Sequence, residues 1–180
     1  SGTTASYRNA GQTKRRGLEL SAEAMLMSDV NAYLAYTMLD ATFQSPFATG
    51  TGATGVGTYN QGTVAAGNAI PGTYRHQLYA EVAYRYRPYQ FETAVEGRYI
   101  SKVFINDLNK DTAPAYTIVS VRASLQQVQG KWKFTEYARI DNLLDETYIG
   151  SVRVNDGNTR FFEPAPGRNY LVGVKASYMF

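Results

Sequence analysis

The residues of this chain that could do chemistry are few, and their spacing excludes most chemistries. His76 is the only histidine and cysteine is absent, so a multi-histidine or thiolate metal site is ruled out, and a Ser-His-Asp relay would have to centre on a residue with no supporting neighbours. His76 reads instead as a strand residue near a rim. Gly50-Thr51-Gly52-Ala53-Thr54-Gly55 fits the G-x-G-x-x-G string of a phosphate-binding turn, but it has no strand before it and no helix after it. It reads as a flexible surface loop. Glu92 and Glu96 fall on one face with Arg98, Arg122, Arg139 and Asp141. Paired carboxylates can move protons, yet interleaved with so many guanidinium groups they are expected to form a structural charge ladder. The densest set lies between Leu143 and Arg168, where Arg153, Asn155, Asp156, Arg160, Phe162 and Arg168 are candidate contacts to an anionic, partly apolar ligand through charge-assisted hydrogen bonds and stacking. No catalytic residue, cofactor or resident metal is expected.

The elements that must position these residues follow from composition and periodicity. The 180 residues are 44% hydrophobic and 13% aromatic, with 15 Tyr, 8 Phe and only 18% charged, which favours strands because aromatic side chains fit pleated surfaces. A net charge of +3 with no basic block beyond Lys14-Arg15-Arg16 argues against a nucleic-acid partner. Period-two alternation recurs segment after segment. Tyr170, Val172, Val174, Ala176, Tyr178 and Phe180 oppose Leu171, Gly173, Lys175, Ser177 and Met179. Trp132, Phe134, Ala138 and Ile140 oppose Lys133, Thr135, Tyr137, Arg139 and Asp141, with Glu136 the misfit on the apolar side. Val119, Val121, Ala123 and Leu125 oppose Ser120, Arg122, Ser124 and Gln126, with Ile118 the outlier. Similar faces run from Phe91 to Val103, Leu78 to Tyr86, Leu18 to Leu26 and Ala32 to Met38, giving seven strands, and Ser1 to Tyr7 is a candidate end of an eighth.

These strands run about 11 residues, enough to cross a bilayer at a tilt, whereas globular strands average five or six. Connections alternate between short (Met27–Asp29, Arg87–Gln90, Gln127–Lys131) and long (Ala41–Tyr74, Asn106–Ala115, Leu143–Arg168), so one rim carries every short turn and the other every long loop. Tyr84, Tyr86, Phe91, Trp132, Phe134, Tyr178 and Phe180 gather at the short-turn end as a membrane-interface girdle, and Tyr99, Tyr116 and Tyr170 lie toward the other. A soluble core has no reason to sort aromatics by height. The expected class is therefore all-β: seven to eight strands of an antiparallel up-and-down transmembrane β-barrel, with short periplasmic turns and long extracellular loops. An open apolar sheet with two free edges would aggregate, which favours a portion of a larger barrel over a self-contained small barrel with a structural, adhesive or passive-pore role.

Four stretches, Tyr7–Leu20, Ile70–Tyr86, Asn142–Asp156 and Phe161–Phe180, resemble the C-terminal barrel portion of TonB-dependent outer-membrane receptors, and the likeness covers nearly the whole chain. The features that carry it are Arg16-Gly17-Leu18-Glu19-Leu20, the Asn142-Leu143-Leu144-Asp145 corner, Pro166-Gly167-Arg168 before the last strand, and the terminal Phe180. The resemblance implies a bacterial outer-membrane location, a 22-stranded barrel plugged by an N-terminal domain, and TonB-energised uptake of a metal chelate of ferric-siderophore or ferric-citrate type. On this reading residues 1–180 are the C-terminal barrel portion, without the plug domain or TonB box. The implied partners are outer-membrane lipids and lipopolysaccharide, the chelate, the plug and TonB through the missing N-terminal part, and the barrel assembly machinery through Phe180.

Overall fold

Alternation commits each side chain to one face of a sheet, and the computed structural model, which describes residues 11–49 and 60–180, lays the seven long segments side by side. In chain order the strands are β1 (Thr13–Met27), β2 (Val30–Phe43), β3 (Phe47–Thr49), β4 (Gly62–Val64), β5 (His76–Tyr86), β6 (Phe91–Ile100), β7 (Val103–Phe104), β8 (Thr112–Ala113), β9 (Tyr116–Gln129), β10 (Trp132–Asp141), β11 (Ile149–Val152), β12 (Phe162–Pro164) and β13 (Asn169–Tyr178). β1, β2, β5, β6, β9, β10 and β13 pair in that order as one antiparallel up-and-down sheet. The remaining six form the hairpins β3–β4, β7–β8 and β11–β12, one in each long loop. Ser1–Tyr7 and Gly50–Gly55 lie outside the described residues.

The short turns are tight for local reasons. Gly130 takes φ +60 between Gln129 and Trp132, a left-handed conformation that costs glycine little. Pro88 fits the first positions of a 3-10 turn over Arg87–Tyr89, and Arg87 reaches across to the β1–β2 turn, donating to Asp29 Oδ1 at 2.8 Å and to the Ser28 carbonyl at 3.0 Å. Neighbouring turns are thereby tied at one rim. There Trp132 lies 5.1 Å from Tyr178, which lies 5.3 Å from Phe180, and Tyr86 lies 5.5 Å from Tyr89.

The apolar face is open to its surroundings: Val172 is 78% and Val174 67% exposed. Buried apolar side chains collect at the long-loop end, where Phe43, Val64, Val103, Ile105, Ala113, Ile118 and Phe161 pack together with the loops. A soluble barrel would bury the valines, so the hydrophobic face of this sheet points outward. Three details differ from the sequence reading. β6 stops at Ile100, and Val103 pairs with Ala113 in a hairpin instead of extending the apolar face. Ile118 breaks the alternation because its inward position at the top of β9 is roofed by loops and 5% exposed. Tyr116 belongs to the inner face, its ring 4.4 Å from that of Tyr148.

Glu136 remains the misfit. It sits between Leu125 and Val174 on the outer face, midway along the ladder from Trp132–Tyr178 to Ile140–Tyr170. A carboxylate at mid-height of a lipid-facing wall is unfavourable, though less so than a lysine or arginine. Glu136→Leu is therefore expected to raise stability by about 1 kcal/mol, measured as the denaturant midpoint of the intact protein folded in lipid vesicles. An unchanged or lowered midpoint would mean that Glu136 is not facing lipid.

Candidate ligand-facing wall and outer loops

The inner face is built from two arrangements that each strand pair alone would disfavour. The register places Glu81 directly opposite Glu96, and Arg122 directly opposite Arg139. Like charges in facing positions repel. Each pair is bridged by a member of the other. Arg122 donates to Glu81 at 3.0 Å, to Glu92 at 3.1 Å and to Glu96 at 3.2 Å; Arg139 grips Glu96 through both terminal nitrogens at 2.7 and 2.8 Å and donates to Asp141 at 2.8 Å. Arg85 closes the lower end on Glu92 at 2.8 Å. Arg122 can span β6 because its ladder partner there is Ala94, which is fully covered and leaves room for a guanidinium to lie across. The charge ladder expected from sequence thus forms, with Glu81 and Arg85 added to it. It is a structural lattice whose acids are all engaged, and it offers no free acid–base pair.

Arg98, grouped with that ladder by its position, stands apart. It lines a cavity of about 450 Å³ at the top of the inner face, together with Tyr79, Ile118, Tyr148, Asn169 and the rim of the charge lattice. It makes no ion pair among the described residues. Glu96 and Asp141 also line the cavity but are held by Arg139, and a cation with no carboxylate partner, beside tyrosine rings and Asn169, suits an anionic ligand with a flat or apolar part. Sequence reasoning placed Arg98 on the correct face but could not see that register and height separate it from Glu96.

The loops above this wall interlock. Asn142, at φ +53, clamps the start of the third loop, its Oδ1 accepting from the Glu146 N–H and its Nδ2 donating to the Glu146 carbonyl, both at 2.8 Å. Asp145 then accepts the Arg168 N–H at 2.8 Å, joining the two ends of that loop. Asn155 Oδ1 accepts the Asp107 N–H, and Asn155 Nδ2 donates to the Asp107 carboxylate, both at 3.0 Å. Burial pushes the Asp107 carboxyl above the usual carboxylate range, against the pull of the Asn155 amide. Asn109 binds both the N–H and the carbonyl of Ala69 at 2.8 and 2.9 Å, and Asn60 donates to the Asp156 carbonyl at 3.0 Å. Backbone N–H groups of Asn158 and Arg160 hold the Asp156 carboxyl below its ordinary value.

The six candidate ligand contacts therefore divide. Asn155 and Asp156 are occupied in fastening loops to each other, and Arg153 leans on Asp156 at 3.8 Å. Arg160, Phe162 and Arg168 are exposed, Phe162 on the β11–β12 hairpin and Arg168 at the foot of β13. His76 shares its Nδ1 with the Tyr36 hydroxyl at 2.8 Å on the outer face, a structural role. No cluster of three or more His, Cys, Asp or Glu side chains suited to a metal occurs among the described residues.

Comparison with known proteins gives one family and one fold. The profile described as TonB dependent receptor-like, beta-barrel, matches residues 1–143. Among solved structures, the ferric citrate transporter FecA in its unliganded form is similar with a TM-score of 0.74 at 16% identity over 93% of this chain and 25% of that one. The siderophore receptor PiuA from Acinetobacter baumannii gives a TM-score of 0.69 at 20% identity over 92% of this chain and 22% of its own. The ferric-catecholate import receptor Fiu from K12 E. coli gives 0.65 at 15% identity over 94% and 21%. The chain thus spans about a fifth to a quarter of the length of these structures, and at such identities the likeness concerns the fold.

Proposed function

The chain belongs to the family of TonB-dependent receptor β-barrels, and from that premise we propose that it forms the ligand-facing sector of an outer-membrane importer of a metal chelate, of ferric-siderophore or ferric-citrate type. Its location is the bacterial outer membrane, and the family's members are receptors and transporters. The observation that carries the finer reading is the inner cavity with Arg98 uncompensated beside Tyr79 and Tyr148. Carboxylate, catecholate and hydroxamate chelates of iron present anionic oxygens on a compact, partly apolar body. A guanidinium and tyrosine rings match both parts. Arg160, Phe162 and Arg168 at the loop surface are proposed first contacts, and Arg98 a deeper one. In this reading residues 1–180 are part of a longer chain: the charge lattice faces a plug, TonB supplies the energy through that plug, and Phe180 is presented to the assembly machinery.

The test is binding and growth with the intact protein. A strain lacking its own ferric-chelate receptors is supplied with ferric citrate, a ferric catecholate or a ferric hydroxamate as sole iron source. Growth on at least one of the three is expected, and Arg98→Ala should weaken binding of that chelate by about tenfold, the equivalent of one charge-assisted hydrogen bond. Failure to grow on or bind any of them would overturn the chelate reading. Tight binding unaffected by Arg98→Ala would remove Arg98 from the site.

A further inference from the structure

Glu136 is a feature of the outer face that chelate uptake does not use. It stands on β10 between Leu125 of β9 and Val174 of β13, and its carboxylate makes no hydrogen bond or ion pair among the described residues. The outward hydroxyl of Thr93, in the neighbouring row, is already engaged with the Arg122 carbonyl at 3.0 Å. An ionisable group inside a bilayer is unfavourable alone and is stabilised by an opposite charge. The surface around this one is a shallow groove of about 370 Å³. Its floor is formed by the methyl groups of Ala123 and Ala138, which face each other across β9 and β10. Phe91 and Leu125 rise on one side of it, Val172 and Val174 on the other. Small residues let another backbone come close inside a membrane, and taller apolar neighbours add packing area.

The charge decides between occupants. A lipid headgroup does not reach the carboxylate, because about 13 Å of strand separates Glu136 from Trp132 in the aromatic girdle, the level at which headgroups lie. A second copy presenting the same face would set carboxylate against carboxylate. Among the described residues the cations of this face lie at its ends, Lys14 and Arg16 by the long loops and Lys131 at a short turn, 5.8 Å from the Tyr178 ring. A different membrane-embedded chain with a lysine or arginine at mid-height satisfies both the groove and the charge. Such a cation is itself unfavourable in lipid, so contact relieves both groups.

We propose that this groove is an intramembrane docking site for a second, different membrane protein, whose spanning segment sets one lysine or arginine against Glu136. The proposal depends on Glu136 facing lipid and not on chelate uptake, so either can fail without the other. The intact protein is reconstituted in phosphatidylcholine vesicles with a fluorescent transmembrane leucine-alanine helix that carries either one lysine or one leucine at mid-length. Association is read by energy transfer from a label on the protein. The lysine helix should bind wild type at least about tenfold more tightly than it binds Glu136→Gln, and at least about tenfold more tightly than the leucine helix binds wild type. Glu19→Gln on the inner face should leave both affinities unchanged. In the native outer membrane, a photo-cross-linking side chain at Ala138 should join the protein to a spanning segment of another protein that contains a lysine or arginine, and Glu136→Gln should abolish that product. Equal binding of the lysine helix to wild type and Glu136→Gln overturns the proposal, as does equal binding of the two helices to wild type. Cross-linking to lipid alone, or to a second copy of the chain, overturns it too. The heat-dependent gel shift reports whether Glu136→Gln folds, and if it does not, the comparison of the two helices on wild type decides alone.

Discussion

Gly17→Ala is expected to lower the stability of the folded protein by about 1–3 kcal/mol, the range for forcing extra volume into an occupied site. Gly17 faces Leu39 in the β1–β2 ladder, and a Cβ added there would overlap the Met38 carbonyl oxygen, with Leu39 Cα at 3.5 Å. The obstruction is backbone, so no side chain can turn aside to relieve it. β1 would have to move away from β2, stretching ladder hydrogen bonds on both sides and the Arg16–Asp40 ion pair beside them. Glycine inside a strand commonly marks such close backbone approach. The measurement is the guanidinium midpoint of the intact protein in detergent, with Ser21→Ala as the control, since Ser21 lies further along the same face of β1 opposite Ala35. Equal midpoints for Gly17→Ala and the control would show that the strand tolerates a methyl group and that the close approach has no energetic weight.

Strand identity and sidedness were legible because a period of two leaves each residue only two places to go. Val172 and Val174 outward, Arg122 and Glu96 inward, and the ordering of short and long connections all follow from parity and length. Height along the strand was less legible. Parity groups Arg98 with Arg122 and Arg139, yet only the register reveals that Arg122 lies where it can reach three carboxylates and that Arg98 lies above them, at the cavity. The loops were least legible, for a physical reason. Strands of two to four residues, such as β7, β8, β11 and β12, are too short to show a period, and their order comes from asparagine side chains that bind backbone far away in sequence, Asn109 on Ala69 and Asn60 on Asp156. Loop polarity suggested ligand contact for Asn155 and Asp156, whereas the Asn155 amide and the Asp156 backbone carbonyl fasten loop to loop and the Asp156 carboxylate accepts N–H groups of its own loop. Ile118 carried the one usable signal, since an apolar residue out of phase at a strand end indicates that something covers it.

The charge lattice makes the second large effect predictable in direction and in its salt dependence. Arg122→Ala leaves Glu81 and Glu96 facing each other with no cation between them, and leaves Glu92 with Arg85 alone. Removing one partner from a buried charge pair typically costs about 3–5 kcal/mol. The Arg122 side chain is about a third exposed, so solvent screening reduces the expected loss to about 2–3 kcal/mol. Arg122→Lys should recover only part of it, because an ammonium is a point charge and cannot bridge carboxylates on β5 and β6 as a planar fork does. Adding Glu81→Gln to Arg122→Ala removes the facing acid, and should restore stability beyond the sum of the single effects. Raising salt should narrow the gap between Arg122→Ala and wild type, since the destabilising element in the variant is repulsion. Denaturant midpoints of wild type, Arg122→Ala, Arg122→Lys, Glu81→Gln and the double variant at low and high salt measure all three expectations. A deficit in Arg122→Ala that is insensitive both to salt and to Glu81→Gln would mean that the guanidinium contributes through packing over Ala94, and that the facing acids are held apart by some other means.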